Sequence, residues 1–347
     1  MIYSEDDKSV RHRTLLRASY VLPIAARVSQ QRELDGYLYR MSRIVDEVIV
    51  VDGSCGSVFA DHARAWSDHV RHVRPAFSTV NGKVAGVMTG VLIARHEAVI
   101  IADDDIRYRK SELGAMIGLL ASHDVVRPQN VFVPMPWHAR WDTARSLFNR
   151  LVDGDWPGTL GVRRTTLLNA GGYRGDVLFE NLEMVRTIKA AGGIESVALE
   201  MLVQRRPPRA RHFLSQRVRQ AYDEWARPRR FALNLALLPV ALLAWQLGVI
   251  AVGAVFGSAV VAAELGRRRG GGARVFPPSS ALWAPLWLAE RAFTSWVALA
   301  VGLILGGVRY RTRRIKRAAT PMRELRERVA AVPSPFSLPV GLSHGSN

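Results

Sequence analysis

The chain is predicted to be an α/β protein, a mostly parallel sheet followed by C-terminal membrane helices, and three observations carry that prediction. Short β-branched apolar runs alternate with helical segments from Tyr20 to about Val203, the pattern of a parallel sheet covered on both faces. One run, Ala98-Val-Ile-Ile-Ala102, leads straight into three carboxylates, Asp103, Asp104 and Asp105. Farther on, Phe231–Ala263 and Ala292–Val308 contain no charged residue. Four regions follow: an α/β domain over 1–204, a basic segment over 205–230, a membrane region over 231–308, and a basic segment with a mobile tail over 309–347.

The elements can be justified in order. Tyr20-Val-Leu-Pro-Ile24 reads as the first strand, and about Gln30 to Ser42 as a polar helix. Glu47-Val-Ile-Val-Val-Asp52 is the second strand and ends in an acid, followed by the turn residues Gly53-Ser54. His69–Val73 is a weaker third strand. Lys83–Arg95 has helical spacing with small residues, and the strand into Asp103 comes next. Buried parallel strands read as continuous apolar runs, because both faces are covered.

Ligands of such sheets bind outside the carboxyl ends of the strands. Three adjacent acids there repel one another unless a cation or hydrogen-bond donors neutralise them. A hard divalent ion held by one or two carboxylates together with substrate phosphates meets that need; a polar turn with a helix cap at Asp105 is the plainer reading. Asp52, at a second strand end, suits a contact to a base or ribose, or a simple cap. Gly-x-Gly-x-x-Gly is absent, and Gly82-Lys83 is followed by Val84, so neither a dinucleotide fingerprint nor a P-loop is present.

Charge narrows the partners. Against 30 acids stand 48 lysines and arginines, a formal net charge of +18, which calls for an anionic partner: nucleic acid, a phosphorylated substrate or an anionic membrane face. The densest basic blocks, a collar over Arg205–Arg230 with nine arginines against Asp223 and Glu224, and Arg309–Arg317, border the apolar runs. That placement favours anionic lipid heads. A nucleic-acid module would interleave aromatic and basic residues on a soluble face, and none is visible. The single cysteine, Cys55, excludes an internal disulfide and a cysteine-only zinc site.

Val51-Asp-Gly-Ser54, Asn81-Gly-Lys83 and Ile101-Ala-Asp-Asp-Asp-Ile-Arg107, taken in that order, resemble an inverting GT-A glycosyltransferase of the family 2 superfamily. Gly82–Arg107 is most similar to the ceramide glucosyltransferase group. The resemblance continues through Gly161-Val-Arg-Arg164, Asn169-Ala-Gly-Gly-Tyr173 and Phe179-Glu-Asn-Leu-Glu183, and covers Tyr20 to Gln220. It implies a Rossmann-like GT-A fold and a metal-dependent transfer from a nucleotide-sugar donor. Asp52 would contact the nucleotide, as would Lys83, which otherwise is a solvated helix-start lysine. Asp103 and Asp105 would form the Asp-x-Asp that holds Mn²⁺ or Mg²⁺ and the diphosphate, with Asp104 beside them. Gly171-Gly172 either lets backbone approach the substrate or ends a helix.

Two departures from the family pattern matter. Glu180-Asn181 stands where Glu-Asp is usual and the Asp is the general base. An amide takes no proton, so Glu180 or Glu183 would replace it, although Glu183, one helical turn on, reads equally as a surface acid. Alternatively the acceptor is a phosphate, already largely ionised at neutral pH, or the protein is catalytically dead. Gln216-Arg-Val-Arg219-Gln220 resembles the Gln/Arg-x-x-Arg-Trp motif of membrane-bound members, with Gln220 in the place of Trp. Gln216 and Arg219 would contact the diphosphate or the acceptor pocket, or else form a basic helix face. Haloacid-dehalogenase phosphatases also use Asp-x-Asp, but expect Thr where Arg107 stands.

The expected protein is thus a multi-pass glycosyltransferase of the cell (inner or plasma) membrane, acting on a lipid or lipid-linked acceptor. A processive polysaccharide synthase and a non-catalytic membrane adaptor are the alternatives. No signal peptide is visible in Met1–Arg17, and both strong basic blocks should face the cytoplasm with the catalytic domain. Two crossings satisfy this: Phe231–Ala263 is ample for one, short for two except as a thin hairpin at its glycines, and Ala292–Val308 is the other. Trp283 and Trp287 read as interfacial. The arrangement leaves the Arg267–Arg274 cluster outside, which re-entrant segments would cure.

Overall fold

The computed structural model describes residues 14–28, 32–310 and 313–332. Its N-terminal part runs β1 (Leu16–Ile24), α1 (Arg32–Ser42), β2 (Val45–Asp52), α2 (Gly56–Trp66), β3 (Arg71–Val73), α3 (Gly82–Ile93), β4 (Ala98–Ala102), β5 (Ile106–Arg107), α4 (Lys110–Leu120), β6 (Val125–Phe132), α5 (Trp137–Val152), β7 (Thr159–Arg163), α6 (Arg164–Asn169), α7 (Glu180–Ala190) and β8 (Glu195–Arg205). The expected elements are present, with β1 beginning earlier and β3 shorter than the sequence suggested.

The sheet order is β3-β2-β1-β4-β7-β6-β8-β5. Strands β3, β2, β1 and β4 are mutually parallel, as are β6 and β8. Strand β7 runs antiparallel to both of its neighbours, and β5 to β8. The sheet is therefore mixed but largely parallel. Side chains alternate across it: Val48 and Val50 pack under α1, α2 and α4, whereas Ile49 and Val51 pack under α3, α6 and α7. Burial on both faces is why these strands read as unbroken apolar runs.

One detail of connectivity positions the site. After β4 the chain turns through Asp103–Asp105 and enters β5, which does not stay beside β4 but pairs with β8, Ile106 opposite Arg205. The three carboxylates are thereby stretched across the carboxyl edge of the sheet, facing the end of β8.

Beyond β8 come α8 (Ala210–Ser215), α9 (Arg217–Tyr222), a 3-10 turn over Asp223–Ala226, and three long apolar helices, α10 (Pro228–Leu247), α11 (Val249–Arg268) and α12 (Ala284–Leu305). The short hairpin β9 (Val308–Tyr310) and β10 (Arg313–Ile315), then α13 (Met322–Ala330), complete the described chain. With their flanking turns, all three long helices have the length and composition to cross a membrane. The run from Phe231 is not one helix but two, reversing at Gly248, whose φ of 97° suits glycine alone. At about 1.5 Å per residue each arm is about 30 Å long.

The expected outside position of the Arg267–Arg274 cluster is corrected by the packing. Helix α11 returns to the N-terminal domain, so close to α5 that a Cβ on Gly266 would lie 1.9 Å from the Leu147 carbonyl oxygen. Arg269 then donates to the Arg150 carbonyl at 2.9 Å and to that of Leu151, at the C-terminal end of α5, where unpaired carbonyls favour a cation. Arg150 donates back to the Arg269 carbonyl. Hydropathy counting treats these arginines as water-facing, whereas Arg269 caps a helix of the N-terminal domain and Arg267 is held by Glu264 and the Phe276 carbonyl.

Helix α12 is likewise half-buried in protein. Trp287, expected at an interface with lipid, is buried with its ring centroid 4.7 Å from Phe148. Ala298 sits in a cluster with Leu178, Tyr222 and Ala319, and Gly302 abuts Trp225. Leu286, Phe293, Trp296 and Leu303 form an exposed stripe at helical spacing on the opposite side. The expected mobile tail is also partly corrected: α13 buries Leu325, and Glu324 pairs with Arg174 and Arg317. Residues 333–347 of that expectation lie outside the described residues.

Candidate active site

Two cavities meet at the carboxyl edge of the sheet, and Lys83, Asp103, Asp105, Arg205, His212 and Tyr310 line both. The first, about 460 Å³, extends over Pro23, Gly53, Phe77, Gly86 and Asp104, between the ends of β1 and β2 and the start of α3. The second, about 360 Å³, runs under Trp156, Glu180, Asn181, Gln216, Arg219 and Asp223 towards α9 and α12.

At the junction, charges alternate. Lys83 Nζ lies 2.6 Å from Asp103 Oδ1 and 2.8 Å from Glu180 Oε1. Arg205 Nε donates to Asp105 Oδ2 at 2.8 Å, and its Nη2 is 3.8 Å from Asp103 Oδ2. Asn81 caps α3 by accepting from the Lys83 N–H, which aims the lysine at the junction. Burial alone would lower the pKa of Lys83, but Asp103 and Glu180 hold it well above its usual value. Asp104 and Asp105 are both pushed up, first by burial and then by neighbouring carboxylates, with arginines opposing.

A hard cation fits this donor set. Asp105 Oδ1 is buried without a hydrogen-bond partner among the described residues, Asp103 presents a second carboxylate, and both are the oxygen ligands that Mn²⁺ or Mg²⁺ prefers.

The other sequence candidates fall into two groups. Gln216 and Arg219 line the second cavity, Arg219 donating to Gln216 Oε1 at 3.2 Å and lying 4.8 Å over the Tyr310 ring. Asn181 lines it too, its amide donating to the Pro157 carbonyl at 2.8 Å. Glu183 is withdrawn: fully buried, outside the cavity lining, it accepts the Thr320 N–H at 2.7 Å. Asp52 is also fully buried and below the first cavity, which its neighbours Val51 and Gly53 line. It accepts from the Ser54 N–H, and His62 Nδ1 and His72 Nε2 share its Oδ2 at 2.7 and 3.0 Å. Burial would raise its pKa, but the hydrogen bonds from His72, Ser54 and His62 hold it far below the usual range. These three side chains bring ligand atoms within 4.8 Å of one another and could hold an ion; the observed spacing is that of hydrogen bonds. Gly171 and Gly172, at φ of 72° and 67°, close the end of α6 and line neither cavity.

Sequence reasoning missed Trp156 and Tyr310, which line the same cavity as Gln220, and it read Asp223 only as a counter-charge in the basic collar. That collar is also less free than its composition implied: Arg205, Arg206, Arg217, Arg227 and Arg230 are all paired with acids.

Residues 21–168 match the family described as Glycosyl transferase family 2. No curated protein matches the chain by sequence. Among solved structures, similarity extends to the mannosyltransferase PcManGT from Pyrobaculum calidifontis in complex with GDP-Man and Mn²⁺, at 17% identity over 82% of this chain and 88% of that one, TM-score 0.49. It extends also to S. aureus TarS 1-349 in complex with UDP-GlcNAc, at 13% identity over 58% and 61%, TM-score 0.42. A third is glucosyl-3-phosphoglycerate synthase from Mycobacterium tuberculosis with Mn²⁺, uridine diphosphate and phosphoglyceric acid, at 17% identity over 57% and 73%, TM-score 0.38.

Proposed function

We propose that this chain is a membrane-bound, inverting glycosyltransferase that moves a sugar from a nucleotide-sugar donor to a lipid or lipid-linked acceptor, a reading supported by the match of residues 21–168 to glycosyl transferase family 2. The observation that carries the reading is the Lys83–Asp103–Glu180 and Arg205–Asp105 cluster where the two cavities join. The first cavity takes the nucleotide. Asp103 and Asp105 would hold Mn²⁺ or Mg²⁺, which would supply positive charge to offset that of the departing diphosphate. Lys83 and Arg205 keep the carboxylates aligned and offset their charge. The second cavity, running towards α9 and α12, takes the acceptor, whose oxygen attacks the anomeric carbon from the side opposite the diphosphate. Gln216 and Arg219 border that path.

Lipid access is supported by the exposed stripe on α12 and by the tip of the α10–α11 hairpin, where Val249 is 84% exposed. A processive synthase is less well supported, because building a polymer channel takes more membrane helices than the three candidates among the described residues. The adaptor reading rests on Asn181 alone. We place both ends of the membrane region on the cytoplasmic side, since α10 leaves and α11 returns to one domain, and Val308 and Ile315, beyond α12, cluster with Leu178 and Leu182 of that same domain; a reporter fused after Arg317 and active only outside the cell would refute this.

The test of function is a thermal-shift screen of the full chain against nucleoside diphosphates and nucleotide sugars with Mn²⁺ or Mg²⁺. A ligand at a hundred times its Kd should stabilise by about 2.7 kcal/mol, and EDTA should remove the gain. No shift with any nucleotide, with either ion, would sink the proposal.

A further inference from the structure

The family pattern places a general base where this chain has Asn181, and the amide is spent on the Pro157 carbonyl. The second cavity nevertheless contains a carboxylate oxygen with no hydrogen-bond partner among the described residues. Asp223 sits in the 3-10 turn just after α9, between the buried Tyr222, whose hydroxyl is held by the Lys316 carbonyl at 2.7 Å, and the buried Glu224. It lines the same cavity as Lys83, Asp103 and Glu180. Its Oδ1 is buried and has no hydrogen-bond partner among the described residues.

The other acids of the cavity each have a basic partner, Asp103 and Asp105 in Lys83 and Arg205. Glu180 is paired with Lys83, Glu224 with Arg227 and Arg230, and Asp142 with Arg145 and Arg217. Glu183 is outside the cavity. We propose that Asp223 is the group that takes the proton from an acceptor hydroxyl during transfer. The proposal rests on the glycosyltransferase reading and selects a hydroxyl acceptor within it. The step balances: the acceptor oxygen bonds to the anomeric carbon, its proton passes to an Asp223 carboxylate oxygen, and the anomeric carbon–oxygen bond breaks with its electron pair leaving on the nucleoside diphosphate.

The electrostatics suit the task. Burial pushes Asp223 up to about 7, with Glu180 and Glu224 adding to the rise and Arg219 and Arg227 opposing it. Arg145 of α5 and Arg291 of α12 also line the cavity. A base is most effective when its pKa lies near the working pH. Activity should therefore fall as pH drops below about 7, roughly tenfold per unit, because the protonated acid accepts nothing.

The test uses the full chain in detergent with UDP-glucose or GDP-mannose and Mn²⁺. Octyl β-glucoside serves as the hydroxyl acceptor and a short polyprenyl phosphate as the phosphate acceptor. Asp223→Asn should bind donor as the wild type does, lose about 10² to 10⁴ in transfer to the glucoside, and lose the acidic limb of the pH profile; Asp223→Glu should recover part of both. Folding is checked by Tm at pH 8. The native carboxyl titrates above its unfolded value, so its ionisation costs stability as pH rises through about 7, and the Asn variant should be no less stable there. Transfer to the glucoside within a few fold of wild type, or a limb that persists in the variant, overturns the role of Asp223 and leaves the enzyme reading intact. So does a wild type that uses only the phosphate acceptor, with the variant indifferent. A wild type that binds neither donor, or binds one and transfers to neither probe nor water, overturns both.

Discussion

Asp105→Asn is expected to abolish transfer in a protein that stays folded, and Asp103→Asn to do the same. The Asp105 Oδ1 atom is buried without a hydrogen-bond partner among the described residues, so an amide there either points a donor at the position of the cation or leaves it one charge short. Lewis-acid assistance to a leaving diphosphate supplies several kcal/mol; losing about 4 kcal/mol lowers the rate about a thousandfold. Stability should move the other way. Three adjacent carboxylates repel one another, and removing one leaves Lys83 paired with Glu180 or Arg205 with Asp103. Transfer rates with Mn²⁺ and melting in EDTA check both halves; undiminished turnover of the doubly substituted chain in EDTA would refute the assignment.

Lys83→Met should have the next largest effect, and of a different kind. The ammonium bridges Asp103 and Glu180, and each of the three side chains is less than a quarter exposed. Removing one partner of a fully buried pair costs about 3–5 kcal/mol; with this much solvent access a loss of about 2 kcal/mol is expected. A bound divalent ion takes over part of the lost charge, so Mn²⁺ should raise the Tm of the variant by more than it raises that of the wild type. Donor affinity and transfer should both fall, by at least about tenfold, because Glu180 is no longer drawn towards Asp103. An unchanged apo Tm, together with an ordinary response to Mn²⁺, would remove Lys83 from the site.

The first four strands and the acidic turn were legible because a two-sided sheet prints its burial directly as apolar runs, and Asp103–Asp105 interrupts one of them abruptly. The partners of those acids were not legible. Arg205 reaches Asp105 only because β5 crosses to pair with β8, a non-local register that no local pattern records. His62 and His72 reach Asp52 from a helix and another strand for the same reason. Asp223 was hidden differently: surrounded in sequence by arginines, it looked neutralised, yet those arginines turn to Glu224, Asp142 and Glu290. In the C-terminal part, apolar length was equated with lipid contact, whereas the faces of α11 and α12 that pack on protein carry mostly small or polar residues, such as Ala259, Ala263, Gly266, Ser295 and Ala298, and the large apolar side chains of Val261, Leu265, Phe293 and Leu303 face outward.

The half-buried seat of α12 has a kinetic consequence. If the acceptor is a lipid, as proposed above, a helix that presents one apolar stripe outward while Arg291 on its other side lines the second cavity would make the protein a surface catalyst, searching two dimensions rather than three. Its velocity at a fixed bulk amount of lipid acceptor would follow the mole fraction of that lipid in the surface. Adding inert lipid or detergent would slow the reaction by dilution within the plane, though nothing in the surrounding water had changed.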